Sequence, residues 1–342
     1  MSETRTEIAS LGEFGLIGRF NESFKPALPE TVKGIGDDAA VIDLGEAYGL
    51  LSTDLLLEGV HFDLTFAPLK HLGYKAVAVN VSDIAAMNGI PGQLTVSLAV
   101  SNRFSVEAID ELYSGIKAAC KDFRVDLVGG DLSSSRSGLL ISISVFGKVA
   151  KDKIAYRNTA KPNDLLCVTG DLGGAYMGLQ ILEREKAVFL ADPNMQPEFE
   201  GKEYVLQRQL KPEARMDVVY ELAEAGVIPT SMIDVSDGLA SDLLHICAQS
   251  GVGAVVYEEN LPLDEETYLA ATELKLSPIT AAMNGGEDYE LLFTVRQADY
   301  DKVKNNPKIS VIGYITDNPK EVTLATKGGN KLPITAQGWK HI

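Results

Sequence analysis

Along this chain, stretches in which apolar and polar residues alternate give way repeatedly to stretches with apolar residues three and four apart, so strands and helices interleave. In the first half the spacing predicts strands over Ala39–Ile42, Tyr48–Thr53, Leu94–Val100, Val125–Leu127 and Leu139–Val149. Helices are predicted over Leu72–Met87 and Val106–Phe123, the first stopped by Asn88-Gly89-Ile90-Pro91. Lys151–Asp164 is polar and reads as a connection. Beyond it come strand Leu165–Thr169, helix Gly174–Lys186, a Pro- and acid-rich surface excursion over Asp192–Glu203, and helix Met216–Ala225. Strand Ser231–Ile233, helix Leu239–Ser250 and strands Ala254–Tyr257, Tyr289–Val295 and Ile309–Tyr314 complete the pattern. With 342 residues, more than one compact core needs, the expected class is α/β (α+β) in two domains, 1–150 and 151–342.

Composition narrows the function. The 45% hydrophobic and 23% charged shares are those of a globular protein. Against 31 Lys and Arg stand 48 Asp and Glu, and a net charge of −17 excludes general nucleic-acid binding. The same charge would repel a phosphate-bearing substrate unless divalent cations bridge carboxylate to phosphate. Solubility alone also accounts for excess acid. The apolar stretch Ala76–Val100 is broken by Asp83, Gly89, Pro91 and Gly92, so no membrane span is expected. Residues 1–12 lack an apolar signal core, and Cys120, Cys167 and Cys247 are far apart, which points to the cytoplasm.

The candidate chemistry lies in short acidic runs at element ends. These are Gly36-Asp37-Asp38, Ser52-Thr53-Asp54, Gly129-Gly130-Asp131, Asp234-Val235-Ser236-Asp237 and Gly286-Glu287-Asp288. An Asp after a strand is commonly a turn former or helix cap, so each run alone is weak. Asp83 is stronger, because its helix is apolar on nearly every face and a buried carboxylate needs a partner or a metal. Asn80, one turn earlier, is the alternative partner. Two bare carboxylates about 4 Å apart repel by roughly 4 kcal/mol at an effective dielectric near 20. Carboxylates that converge would therefore bind cations, and oxygen-only ligands select Mg²⁺.

Other sites are excluded. There is no GxxxxGK[ST] loop, no complete dinucleotide fingerprint and no GxSxG elbow. His61, His71, His245 and His341 show no zinc spacing, and the run from Asp234 places His245 where a calcium loop needs Glu.

Six segments, "GIGDDAAVI", "STDLLLEGVHF", "YKAVAVNVSDIAAMN", "LVGGDLS", "MIDVSDGLASDLLHI" and "GGEDYELLF", occur in this order. Together they resemble the thiamine-monophosphate kinase family, from about Gly12 to Trp339. Aminoimidazole ribonucleotide synthetase and selenophosphate synthetase share some of the motifs. The resemblance implies an N-terminal domain that dimerises through its sheet, a C-terminal α/β domain, and an active-site cleft between them. It implies a cytoplasmic homodimer that transfers phosphate in line from ATP to thiamine monophosphate with several Mg²⁺ ions. Asp38, Ser52, Thr53, Asp54, Asp83, Asp131, Asp234 and Asp237 would hold the metals, with Asp37 able to share the role of Asp38. Tyr113, Gly130, Asp131, Arg157 and Ser236 would contact ATP, and His61, Glu287 and Trp339 the acceptor. Phe189–Tyr204 matches no motif and reads as an insertion. A related ATP-dependent ligase would be expected to carry a long N-terminal Gly-rich or Cys-bearing arm, where here the first helix is expected almost at once; a non-catalytic metal-binding scaffold is the remaining alternative.

Overall fold

The computed structural model describes residue 7 and residues 10–336. After helix α1 (Gly12–Ser23) the chain forms β1 (Thr31–Lys33), β2 (Ala40–Asp43), β3 (Ala47–Leu57), α2 (Leu69–Ala86), β4 (Ile90–Val100), α3 (Val106–Phe123), β5 (Asp126–Ser134) and β6 (Leu140–Ala150). These strands make one sheet in the order β1-β2-β3-β6-β4-β5. Only β4 and β5 pair in parallel, as the α3 crossover between them requires.

The second half continues with β7 (Leu165–Thr169), α4 (Gly174–Ala191), α5 (Glu203–Leu210), α6 (Met216–Glu224), β8 (Ser231–Asp234), α7 (Leu239–Ser250) and β9 (Gly253–Tyr257). It ends with α8 (Glu265–Glu273), α9 (Pro278–Asn284), β10 (Leu291–Val295), α10 (Tyr300–Val303), β11 (Ile309–Thr316), β12 (Val322–Ala325) and β13 (Lys331–Pro333). The second sheet runs β13-β12-β9-β11-β7-β10-β8. No described helix is long and apolar enough to cross a membrane.

Helix α2 explains how the halves join. It packs on α3, β3 and β6 on one side and on β8, α5 and α6 on the other. Ala76, Val77, Ala78 and Val81 are fully buried, and one apolar cluster runs from Leu50 and Ile143 through this helix to Met232 and Phe293. Its contact with α3 is backbone against backbone. A Cβ on Gly73 would lie 2.0 Å from the Leu112 carbonyl oxygen, and one on Gly115 1.8 Å from that of Lys70. At its end the left-handed residue is Asn88 (φ 55°) rather than Gly89.

Two sequence expectations need correction. Strand β3 does not stop at Thr53 but runs to Leu57, placing Ser52, Thr53 and Asp54 mid-strand. Strand β5 extends through Gly129, Gly130 and Asp131 as an exposed edge, so Asp131 is inside a strand and not just past one. Polar sequence obscured both, since neither Ser-Thr-Asp nor Gly-Gly-Asp looks strand-forming. The Asp192–Glu203 segment is a surface excursion as expected, tethered by its Glu198 N–H, which donates to Glu185 Oε2 at 3.0 Å.

Candidate active site

Between the two sheets lies a cleft of about 1650 Å³. Three carboxylates meet in it, Asp38 from the turn before β2, Asp83 from α2 and Asp234 from the end of β8, and Asp54 of β3 lines the same cleft. Asp38, Asp83 and Asp234 each offer an oxygen within 4.8 Å of the others. Ser52 Oγ donates to Asp83, and Ser82 Oγ donates to Asp234 at 2.6 Å. Asn80 does not pair with Asp83. Its Oδ1 accepts from the Asp54 N–H at 3.1 Å, fixing the β3 backbone on α2.

Burial and mutual repulsion govern the charges here. Burial, with Arg157 opposing and Asp234 and Asp37 reinforcing, pushes the Asp38 carboxyl up to about 8. Burial and then Asp234 raise Asp54 to about 7. Asp234 rises to about 6 through burial, moderated by Ser82 and Arg157. Asp83 is held well above the carboxylate range by burial and by Asp54, Asp234 and Asp38.

Asp37 and Asp38 separate cleanly. Asp37 is taken by Lys33 and by the Arg157 backbone N–H, which donates at 3.3 Å. Asp38 Oδ1 accepts from Arg157 Nη2 at 2.6 Å, whereas its Oδ2 is buried with no partner. Arg157, expected as an ATP contact, is thereby held largely buried at the cleft wall.

The remaining predicted residues divide by place. Ser236, Asp237, His61 and Glu287 all line the cleft. His61 Nδ1 accepts from the Leu57 N–H at 3.0 Å, so a neutral ring carries its proton on Nε2. Thr53 also borders the cleft, but its side chain lies on the exposed face of β3, where Oγ1 donates to the Ile143 carbonyl at 3.0 Å. Tyr113 lies on α3, half-buried against the core, and Gly130 and Asp131 lie on edge strand β5; these three are not brought to the cleft of this chain. Gly130 is required by its strand, since a Cβ there would sit 1.9 Å from the Val96 carbonyl oxygen. Trp339 lies outside the described residues.

Glu287 stands on an uncommon backbone. It and Tyr289 have φ of 58° and 52°, a conformation that costs about 1–3 kcal/mol at a non-Gly residue. Hydrogen bonds hold it: Glu287 N–H to Ser236 O at 2.7 Å and Tyr289 N–H to Val235 O at 2.9 Å. Behind it, Glu290 accepts from Arg208 at 2.9 Å and Arg215 at 3.0 Å, while Asp288 Oδ2 accepts the Gly173 N–H at 2.7 Å.

Sequence reading missed several groups here. Asp242, on the first turn of α7, is buried against the cleft with Oδ2 unpartnered. A carboxylate within "GLASDLLHI" carries the same signal that singled out Asp83. Lys75 and Gln209 were missed too, because their role depends on α2 meeting α5.

Residues 36–149 match the AIR synthase related protein N-terminal domain, and residues 161–325 its C-terminal domain. The thiamine-monophosphate kinase of Aquifex aeolicus (strain VF5) is 34% identical over 337 residues, covering 98% of this chain and 99% of that protein. The chain belongs to the thiamine-monophosphate kinase family. The Bacillus subtilis (strain 168) kinase is 33% identical over 321 residues, covering 90% of this chain and 93% of that one. The solved structure of AaThiL complexed with AMPPCP and TMP superposes with a TM-score of 0.84 at 31% identity, covering 99% of this chain and 100% of that one. The thiamine-monophosphate kinase family is thus matched along both halves, on either side of the carboxylate cleft.

Proposed function

We propose that the cleft transfers the terminal phosphoryl group of ATP to the phosphate of thiamine monophosphate, giving ADP and thiamine diphosphate. The observation that carries this is the meeting of Asp38, Asp83 and Asp234 within 4.8 Å, with His61 and Glu287 on the walls of the same cleft. Family membership supports the same reaction. The transfer is direct: an oxygen of the acceptor phosphate bonds to the γ-phosphorus as its bond to the bridging oxygen breaks.

The cluster fits Mg²⁺. Its donors are all oxygens, and Asp38 Oδ2 is buried with no hydrogen-bond partner among the described residues. Asp38, Asp54, Asp83, Asp234 and Asp237 would hold the ions, with Ser52 oriented by Asp83. Bound Mg²⁺ would neutralise the phosphate charge that otherwise keeps donor and acceptor apart. The chain's own groups position the reactants. His61 Nε2–H donates to an anionic oxygen, and the Glu287 carboxylate faces the cationic acceptor. Arg157, held by Asp38, keeps positive charge at the nucleotide side of the cluster.

A homodimer completes the site in this reading. Strand β5 is exposed along its length, with Leu132 70% exposed, and Leu51 and Leu55 of β3 also face outward. A second copy paired on this sheet would bring Gly130, Asp131 and Tyr113 to ATP. Residues 1–150 then carry most of the metal and nucleotide contacts, and 151–342 complete the acceptor side. Three free cysteines accord with a reducing cytoplasm.

The test is ADP release with Mg²⁺ on thiamine monophosphate, thiamine and aminoimidazole-pathway substrates. Thiamine diphosphate from the first substrate alone is expected. Turnover only on another acceptor would keep the fold and overturn the substrate.

A further inference from the structure

Lys75 is an unusual residue in its setting. It lies on the buried helix α2, only 4% exposed. A buried ammonium is costly unless paired, so its partners reveal its task. Its Nζ is 2.9 Å from Glu287 Oε1 and donates to the Gln209 carbonyl at 3.2 Å. Gln209 Nε2 in turn donates to Glu287 Oε2 at 2.8 Å. Both oxygens of Glu287 are therefore gripped, one by the first half of the chain and one by α5 of the second.

The helix also sets a distance. Lys75, Val79 and Asp83 are four residues apart and form one stripe of α2; Val79 and Asp83 line the main cleft. Lys75 lines a small recess beside it with His61, Phe62 and Phe66. Eight residues of helix separate Lys75 from Asp83, about 12 Å along the axis. One rigid element thus spaces the carboxylate cluster from Glu287, as a phosphate is spaced from the rings of an extended acceptor.

We infer that Lys75 is a positioning residue for the acceptor: with Gln209 it fixes the Glu287 carboxylate at a set distance from the phosphoryl-transfer centre. This rests on Glu287 being an acceptor contact. Held in this way, Glu287 remains part of the cleft wall. Without Lys75 the carboxylate loses its fixed direction while the Asp83 end of the helix is untouched.

The experiment compares Lys75→Met, Lys75→Gln, Lys75→Arg, Glu287→Gln and the double variant Lys75→Met/Glu287→Gln in the full-length protein. Readouts are KM for thiamine monophosphate, KM for ATP and the melting temperature. Lys75→Met and Glu287→Gln are each expected to raise the acceptor KM about tenfold, as for loss of a charged hydrogen bond. The ATP KM should stay unchanged, Lys75→Arg should recover most of the loss, and the double variant should be no worse than Glu287→Gln. Should Lys75→Met fail to fold, Lys75→Gln keeps a donor to the Gln209 carbonyl without the charge and carries the same test. Additive effects in the double variant, or a lowered melting temperature with unchanged acceptor KM, overturn the proposal. A raised acceptor KM in Glu287→Gln but not in the Lys75 variants overturns only the role of Lys75. Unchanged KM in both also removes Glu287 from the acceptor site.

Discussion

Asp37 and Asp38 are adjacent and chemically identical, yet one braces the turn and the other faces the cleft. Lys33 and Arg157 neutralise Asp37, which leaves Asp38 Oδ2 to the cluster. Sequence could not divide them, because the deciding charges come from residues 4 and 120 positions away. Asp83 was legible, since a carboxylate buried in an apolar helix must be met by a partner or a metal. Replacing Asp83 by Asn should weaken Mg²⁺ binding about 10–100-fold and abolish most turnover, read by titration calorimetry and the ADP assay. The raised carboxyls also fix a pH dependence. Asp38, Asp54 and Asp234 hold protons more tightly folded than unfolded, so the metal-free fold is favoured at low pH. That contribution is lost progressively as pH rises from the ordinary carboxylate value of 3.8 to about 8. The melting temperature of chelator-treated protein should fall across this window, and added Mg²⁺ should raise it most at the alkaline end. A flat profile in thermal scans would contradict the clustering.

At the scale of elements, the strongly periodic ones were read closely: α3, β7 and α7 match their predicted ranges residue for residue. What escaped were elements whose reason lies elsewhere in the fold. Strand β5, read only over Val125–Leu127, continues as an exposed edge with little apolar signal, and the unread α8 and α9 are short helices that pack against each other and α4. Helix α5 went unseen although its Arg208 and Gln209 brace the Glu287 segment, because the pattern of their partners spans 80 residues. The α2–α3 contact makes a sharp prediction. Gly115→Ala would drive a methyl into the Lys70 carbonyl, so stability should fall by about 1–3 kcal/mol in urea unfolding. Activity per folded molecule should change less, since Gly115 does not line the cleft.

For the whole molecule, alternating strands and helices implied the α/β class and the family resemblance implied a cleft, whereas the way the halves join was not legible. The exposed sheet of the first half bears on the site as well as on assembly. If a second copy covers it, Leu132→Lys should shift the protein towards monomer in sedimentation and lower turnover, because Asp131 and Gly130 would no longer reach ATP. A monomeric, fully active variant would argue that one chain suffices. The position of α2 has another consequence. Its buried side chains belong to the packing of both sheets at once, so neither half retains a complete interior when the other opens. The two halves should consequently unfold together, giving a single calorimetric transition whose van't Hoff and calorimetric enthalpies agree, where two beads on a linker would give two.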